Sequence, residues 1–164
     1  MDADSLDGAG LAQPGGLELR LLRPELAGLL REFFRAFVRG PDHAFFHPHP
    51  LTDDAADRLC SYQGRDLYYA ACVAGRIVAY GMLRGWDEGY DIPSLGMAIH
   101  PEARRRGLAR SLMAFLHTAA KLRGARQVRL TVYRDNQRAV AIYQRLGYVF
   151  TEKNQRQLVG ILEL

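Results

Sequence analysis

Lysine is almost missing from this chain: Lys121 and Lys153 are the only two, so the formal charge of +4 is carried by arginine. Cysteine is as scarce. Cys60 and Cys72 show no CxxC spacing and no matching histidine cluster, which argues against a disulfide framework or a zinc knuckle and for two reduced thiols in or near a core. No apolar run approaches the roughly 20 residues of a membrane-spanning helix. Repeats and low-complexity tracts are missing as well. A nucleotide-binding G-x-x-x-x-G-K-[ST] loop is absent, and so is a G-x-G-x-x-G turn between a strand and a helix. No basic stripe interleaved with aromatics favours a nucleic acid as partner.

What is present fits one domain. The 164 residues are 48% hydrophobic and 24% charged, enough to close a single core. Residues 1–16 hold Asp2, Asp4 and Asp7 among small residues, without the basic start and apolar middle of a signal peptide. They read as a flexible tail ahead of one domain over residues 17–164, with the cytoplasm as the expected compartment.

Periodicity supplies the elements. Alternation over residues 17–21 predicts a strand, and Leu26, Leu29, Leu30, Phe33, Phe34 and Phe37 recur at helical spacing behind Pro24. Residues 44–50 carry two prolines in H-P-H-P and are expected to loop. Thr52 followed by Asp53 and Asp54 opens a second helix. Residues 66–73 and 76–84 read as a hairpin around Ala74-Gly75, residues 94–100 as a strand, and 106–123 as a helix with one apolar face. A strand over 128–133, a helix over 137–146 closed by Gly147, and two strands near 148–150 and 158–164 follow. Strand, helix, strand implies a parallel pair with a right-handed crossover. The expected fold class is α/β of the mixed kind, with helices on both faces of the sheet.

Two segments carry chemistry. Arg104-Arg105-Arg106-Gly107-Leu108-Ala109-Arg110 sits between a strand and a helix, where free amides and the positive end of the helix dipole make an anion site. Three cations there are locally unfavourable, by about 0.3 to 1 kcal/mol each at low salt, unless an anion offsets them. Farther on, Asn136 and Tyr143 lie two turns apart on one face of a helix. Asn136 also suits a helix cap and Tyr143 a core position.

The first string matches R-x-x-G-x-A, and residues 136–148 match N-x-x-A-x-x-x-Y-x-x-x-G-[FY]. In both, the chain resembles the GNAT superfamily of N-acetyltransferases, over about a third of its length. The resemblance implies a mostly antiparallel sheet of about seven strands with a splayed parallel pair, acetyl-CoA as acyl donor, and no metal. It implies that the amides of residues 105–110 hold the CoA pyrophosphate, that the amide of Met97 polarises the acetyl carbonyl, and that the amide of Ile99 bonds the pantetheine. Tyr143, a phenol protonated at neutral pH, is then the expected general acid for the departing thiolate.

Glu88 and Asp91 are the expected bases, with His47 and His49 a second pair. Phe46, His47, His49, Trp86, Glu88 and Tyr90 are expected to wall the acceptor site, suiting a small polar amine. A peptide amine acceptor, a homodimer and a non-catalytic acyl-CoA-binding module also remain open.

Overall fold

The computed structural model describes residues 16–164. Of the expected tail, only Gly16 falls within them.

One seven-stranded sheet runs through the molecule in the order β1-β2-β3-β4-β5-β7-β6. Its strands are β1 (Glu18–Leu21), β2 (Leu67–Val73), β3 (Arg76–Arg84), β4 (Ser94–Ile99), β5 (Gln127–Tyr133), β6 (Val149–Glu152) and β7 (Gln157–Glu163). All neighbours are antiparallel except β4 and β5. The helices are α1 (Ala27–Val38), α2 (Asp53–Cys60), α3 (Leu108–Leu122) and α4 (Gln137–Arg145), with short 3-10 turns at Pro24–Leu26, Pro41–Phe45 and Pro101–Ala103. This is the mixed, mostly antiparallel sheet with a parallel pair and helices on both faces that the sequence implied.

Local chemistry explains the element ends. The Thr52 hydroxyl accepts from the Ala55 amide and caps α2, a contact worth about 1 kcal/mol. The β2–β3 hairpin turns through Ala74 and Gly75, both at positive φ, as a two-residue turn requires to follow the strand twist. Helix α3 begins at Leu108 rather than at Arg106, because Gly107 stands at φ +77 and cannot extend the helix backward.

Two cores lie on the two faces. On one, Leu30, Phe33, Phe34 and Phe37 of α1 pack with Ala55, Ala56 and Cys60 of α2 on Tyr68, Tyr80 and Met82. On the other, Leu112, Met113 and Leu116 of α3 meet Leu83, Leu95, Val128, Leu130 and Val132, with α4 laid alongside. Both cysteines are buried, and burial pushes the Cys60 thiol up to about 11, as expected of an inert thiol. Among the described residues no helix is long and apolar enough to cross a membrane.

Candidate functional site

Between β4 and β5 the sheet opens. The parallel ladder holds one registered pair, Ser94 with Arg129, supported by the Arg129 amide donating to Pro93 (3.0 Å). Beyond that rung the strands part. The His100 amide donates to Val78 on β3, so by strand alternation the amides of Met97 and Ile99 face the gap. A cleft of about 490 Å³ fills the opening and reaches both faces of the sheet.

On the α3 face, Arg105 at φ +63 and Gly107 at φ +77 curl the chain into the helix start. Among the described residues the amides of residues 105–110 have no acceptor in the chain; the first to find one is Ser111, bonded to the Gly107 carbonyl. A Cβ on Gly107 would meet nothing within 4 Å, so the loop presents bare backbone to the cleft. Arg104 behaves differently from its neighbours. Its guanidinium donates to the Ile99 carbonyl (3.2 Å) and forms an ion pair with Asp42, which ties the loop to the end of β4 and to the turn after α1. Arg105, Leu108, Ala109 and Arg110 line the cleft with Gly107, whereas Arg106 is exposed beside it.

Helix α4 closes the same side. The Asn136 side chain accepts from the Ala139 amide (3.2 Å), so the capping role is present at a residue that also lines the cleft. Tyr143 lines it too, and burial pushes its phenol up to about 12. Arg138 and Arg145, which no motif singled out, also border the cleft, and neither has an ion-pair partner among the described residues.

On the α1 face the walls are Phe37, Phe45, Phe46, Gly96, Ala98 and Thr131. A Cβ at Gly96 would strike Met82 and only touch Phe46, so glycine is what makes room for the Met82 side chain beneath Phe46. His47 is exposed and does not line the cleft; its Nε2 lies 3.0 Å from the Tyr133 hydroxyl, with the two rings edge to face. His49 is turned inward. Its Nδ1 meets the Pro50 carbonyl (2.8 Å) and its Nε2 the buried Tyr80 hydroxyl (2.9 Å), and desolvation lowers its pKa.

The turn after β3 goes elsewhere. Asp66, buried, accepts from the amides of Gly85 and Trp86 (2.9 Å each) and of Asp87 (3.4 Å), while Asp87 takes the Tyr62 hydroxyl and the Arg65 amide. This knot folds Trp86 into the α3-face core, 6% exposed, with the Arg123 guanidinium 5.2 Å from its ring centre. Glu88, Tyr90 and Asp91 are exposed and do not line the cleft. The structure therefore brings together Phe46, Met97, Ile99, the arginine loop, Asn136 and Tyr143, but not the aromatic and acidic residues of that turn. No local signal marks Asp66, Asp42 or Tyr133; each acts through a partner far off in sequence. Among the described residues no group of three or more metal-ligating side chains exists.

The sequence profile of the Acetyltransferase (GNAT) family matches residues 27–148. An acetyltransferase of Sodalis glossinidius (strain morsitans) is 32% identical over 83 residues, 51% of this chain and 57% of that one. The matched stretch thus spans little more than half of that relative. Among solved structures, the GNAT domain of S. lividans PAT superposes with a TM-score of 0.77 at 16% identity, over 90% of each chain. The PaiA N-acetyltransferase of Thermoplasma acidophilum, solved in complex with coenzyme A, gives 0.74 at 15% identity over 91% of this chain and 99% of that one. At such identities the likeness is one of fold, and the strand order, the parted parallel pair and the matched profile lead to the same place: the chain belongs to the acetyltransferase (GNAT) family.

Proposed function

We propose that the protein transfers the acetyl group of acetyl-CoA directly to a primary amine of a small molecule. The observation that carries this reading is the cleft itself, a gap in the sheet with bare amides along one strand edge and at one helix start. Unpaired amides at residues 105–110 match the oxygens of a pyrophosphate, with Arg105 and Arg110 beside them. The edge of β4 offers amides two residues apart to an extended amide-bearing arm, as a neighbouring strand would. The coenzyme A bound by the T. acidophilum relative agrees with this fit.

Each requirement of the transfer then has a residue. The Met97 amide stabilises charge on the thioester oxygen as the carbon becomes tetrahedral. Tyr143, whose phenol stays protonated far above neutral pH, supplies the proton for the departing thiolate. The amine must shed a proton on the α1 face. Glu88, Asp91, His47 and Tyr133 all stand outside the cleft lining, but Tyr133 packs on Phe45, which does line it, so His47, bonded to Tyr133, is the group proposed to accept that proton through water.

The aromatic walls formed by Phe37, Phe45 and Phe46 on the α1 face favour a small amine over a peptide acceptor. The deciding experiment is a panel of amines with acetyl-CoA, read by free-thiol release. Acetyl-CoA binding without amine-dependent release from any amine, peptide or protein would leave only a binding module.

A further inference from the structure

We infer that the acceptor amine carries a carboxylate, as a free amino acid with an apolar or aromatic side chain does, and that Arg129 and Arg84 receive that carboxylate. The inference rests on the acetyl transfer proposed above and names the class of amine.

Strand alternation sets the face. Val128, Leu130 and Val132 are buried toward α3, so Arg129, Thr131 and Tyr133 emerge on the α1 face. Tyr133 confirms this, since its ring meets Phe45 and His47 there. On β3, Tyr80 and Met82 belong to the α1-face core, which puts Arg84 on the same side. Arg84 pairs with Ser94, and Ser94 with Arg129. The three make one row across the sheet just below the cleft, whose lining begins at Leu95 on β4 and at Thr131 on β5. Adjacent strands lie about 4.8 Å apart, so the two arginine backbones stand roughly 10 Å from each other, a span that two arginine side chains can close on one anion.

The charges in this region are unanswered. Neither arginine takes part in an ion pair among the described residues. Arg84 donates through Nη1 to the Pro48 carbonyl (2.8 Å), which pins the loop over the site. The Nε of Arg129 is buried without any hydrogen-bond partner, an arrangement that a bound acceptor oxygen would relieve. Arg134 shares an orphaned Nε, but its guanidinium is paired with Glu152. Of the carboxylates on this side, Asp42 is paired with Arg104 and Asp66, next in the row beyond Arg84, accepts from three backbone amides, while Glu88 stands exposed on the turn after β3. At the rim Arg156 covers the Tyr133 ring. A polycationic amine would meet arginines, and the one carboxylate among the cleft-lining residues, Asp42, is paired with Arg104. An amino acid would set its carboxylate at the Arg84–Arg129 end and its apolar body against Phe37, Phe45 and Phe46, leaving its amine toward Met97. Arginine suits the carboxylate because its planar fork can bond both oxygens.

The test uses matched pairs of amines. Phenylalanine, leucine and methionine are compared with phenethylamine, 3-methylbutylamine and 3-(methylthio)propylamine, with spermidine alongside. Acetyl-CoA binding is measured separately by calorimetry. We expect kcat/KM for at least one amino acid to exceed that of its decarboxylated twin by tenfold or more, and spermidine to be poorest. Arg129→Gln should collapse that ratio toward one and Arg129→Lys restore part of it, with acetyl-CoA affinity reporting that the fold survives; Arg84→Gln serves if Arg129→Gln does not fold. Twins or spermidine preferred across the panel would overturn the inference while leaving acetyl transfer in place. Should acetyl-CoA bind with no turnover of any amine, binding of the same pairs to the CoA-saturated protein reads the preference instead. Failure to bind acetyl-CoA at all would remove the transfer reading and this one with it.

Discussion

The phenolic oxygen of Tyr80 lies 2.9 Å from Nε2 of His49 while Nδ1 of the same ring lies 2.8 Å from the Pro50 carbonyl, so Nδ1 carries a proton and, when the ring is neutral, Nε2 accepts from the tyrosine. Desolvation lowers the His49 pKa, opposed by the Pro50 carbonyl and assisted by Arg84 and Arg58; burial lowers that of His117 as well. The folded protein thus binds fewer protons than the unfolded chain once pH drops toward the ordinary histidine value of about 6.5. Stability should be level above about pH 7 and decline as pH falls through 6.5 toward the lowered pKa values, by at most about 1.4 kcal/mol per pH unit for each histidine. Denaturant titrations from pH 8 to 5 measure the slope, and His117→Phe should flatten it. An unchanged slope in that variant would remove His117 from the account.

Tyr143→Phe deletes one hydroxyl and keeps the ring that packs against Tyr148. As general acid assistance is worth about 10²- to 10⁴-fold, kcat should fall by that order with acetyl-CoA affinity nearly constant. Because burial pushes this phenol up to about 12, the parent enzyme should show no loss of rate from tyrosine ionisation between pH 8 and 10. A kcat close to the parent's, where chemistry limits the rate, would make Tyr143 a packing residue.

Gly107→Val places a branched side chain at φ +77, where strain of about 1 to 2 kcal/mol accompanies any obstruction. Gly107→Asn separates the two effects, since asparagine tolerates that conformation better. Both variants should weaken acetyl-CoA binding tenfold or more in calorimetry, and only the valine should lower the melting temperature appreciably. Parental affinity in the asparagine variant would put the anion site elsewhere.

Trp86→Ala should act on stability rather than on the choice of amine. Emptying that buried site should cost about 3 to 5 kcal/mol in a denaturant titration, aggravated by loss of the Arg123 contact. A stable variant with a raised acceptor KM would return the residue to the acceptor wall.

His47→Ala should slow transfer most for amines of high pKa, which most need a proton acceptor, and added imidazole should restore part of the rate. Loss without rescue, uniform across amines, would indicate that His47 only shapes the rim.

The elements were legible because each follows from neighbours in sequence: the α1 stripe, the Thr52 cap, the Ala74-Gly75 turn. The anion loop was legible for the same reason, its arginines, glycine and helix start being contiguous. Trp86 was not. Nothing within a few residues of it reveals that Asp66 gathers the amides of Gly85, Trp86 and Asp87 and rolls the indole to the α3 face. The acceptor half depends on pairings such as His47 with Tyr133 and Arg84 with Arg129 across Ser94, which exist only once strand order and register are set.

The single rung between β4 and β5 makes this sheet two smaller sheets leaning on each other. Each ladder bond that the parted strands do not form forgoes about 0.5 to 1.5 kcal/mol of net stability. A sequence that zipped the two strands together would be sturdier and would have no opening through which two reactants could meet from opposite sides. Thermal robustness and activity are therefore opposed at one place in the fold, and substitutions selected for heat resistance alone should concentrate along the facing edges of β4 and β5, at the expense of turnover.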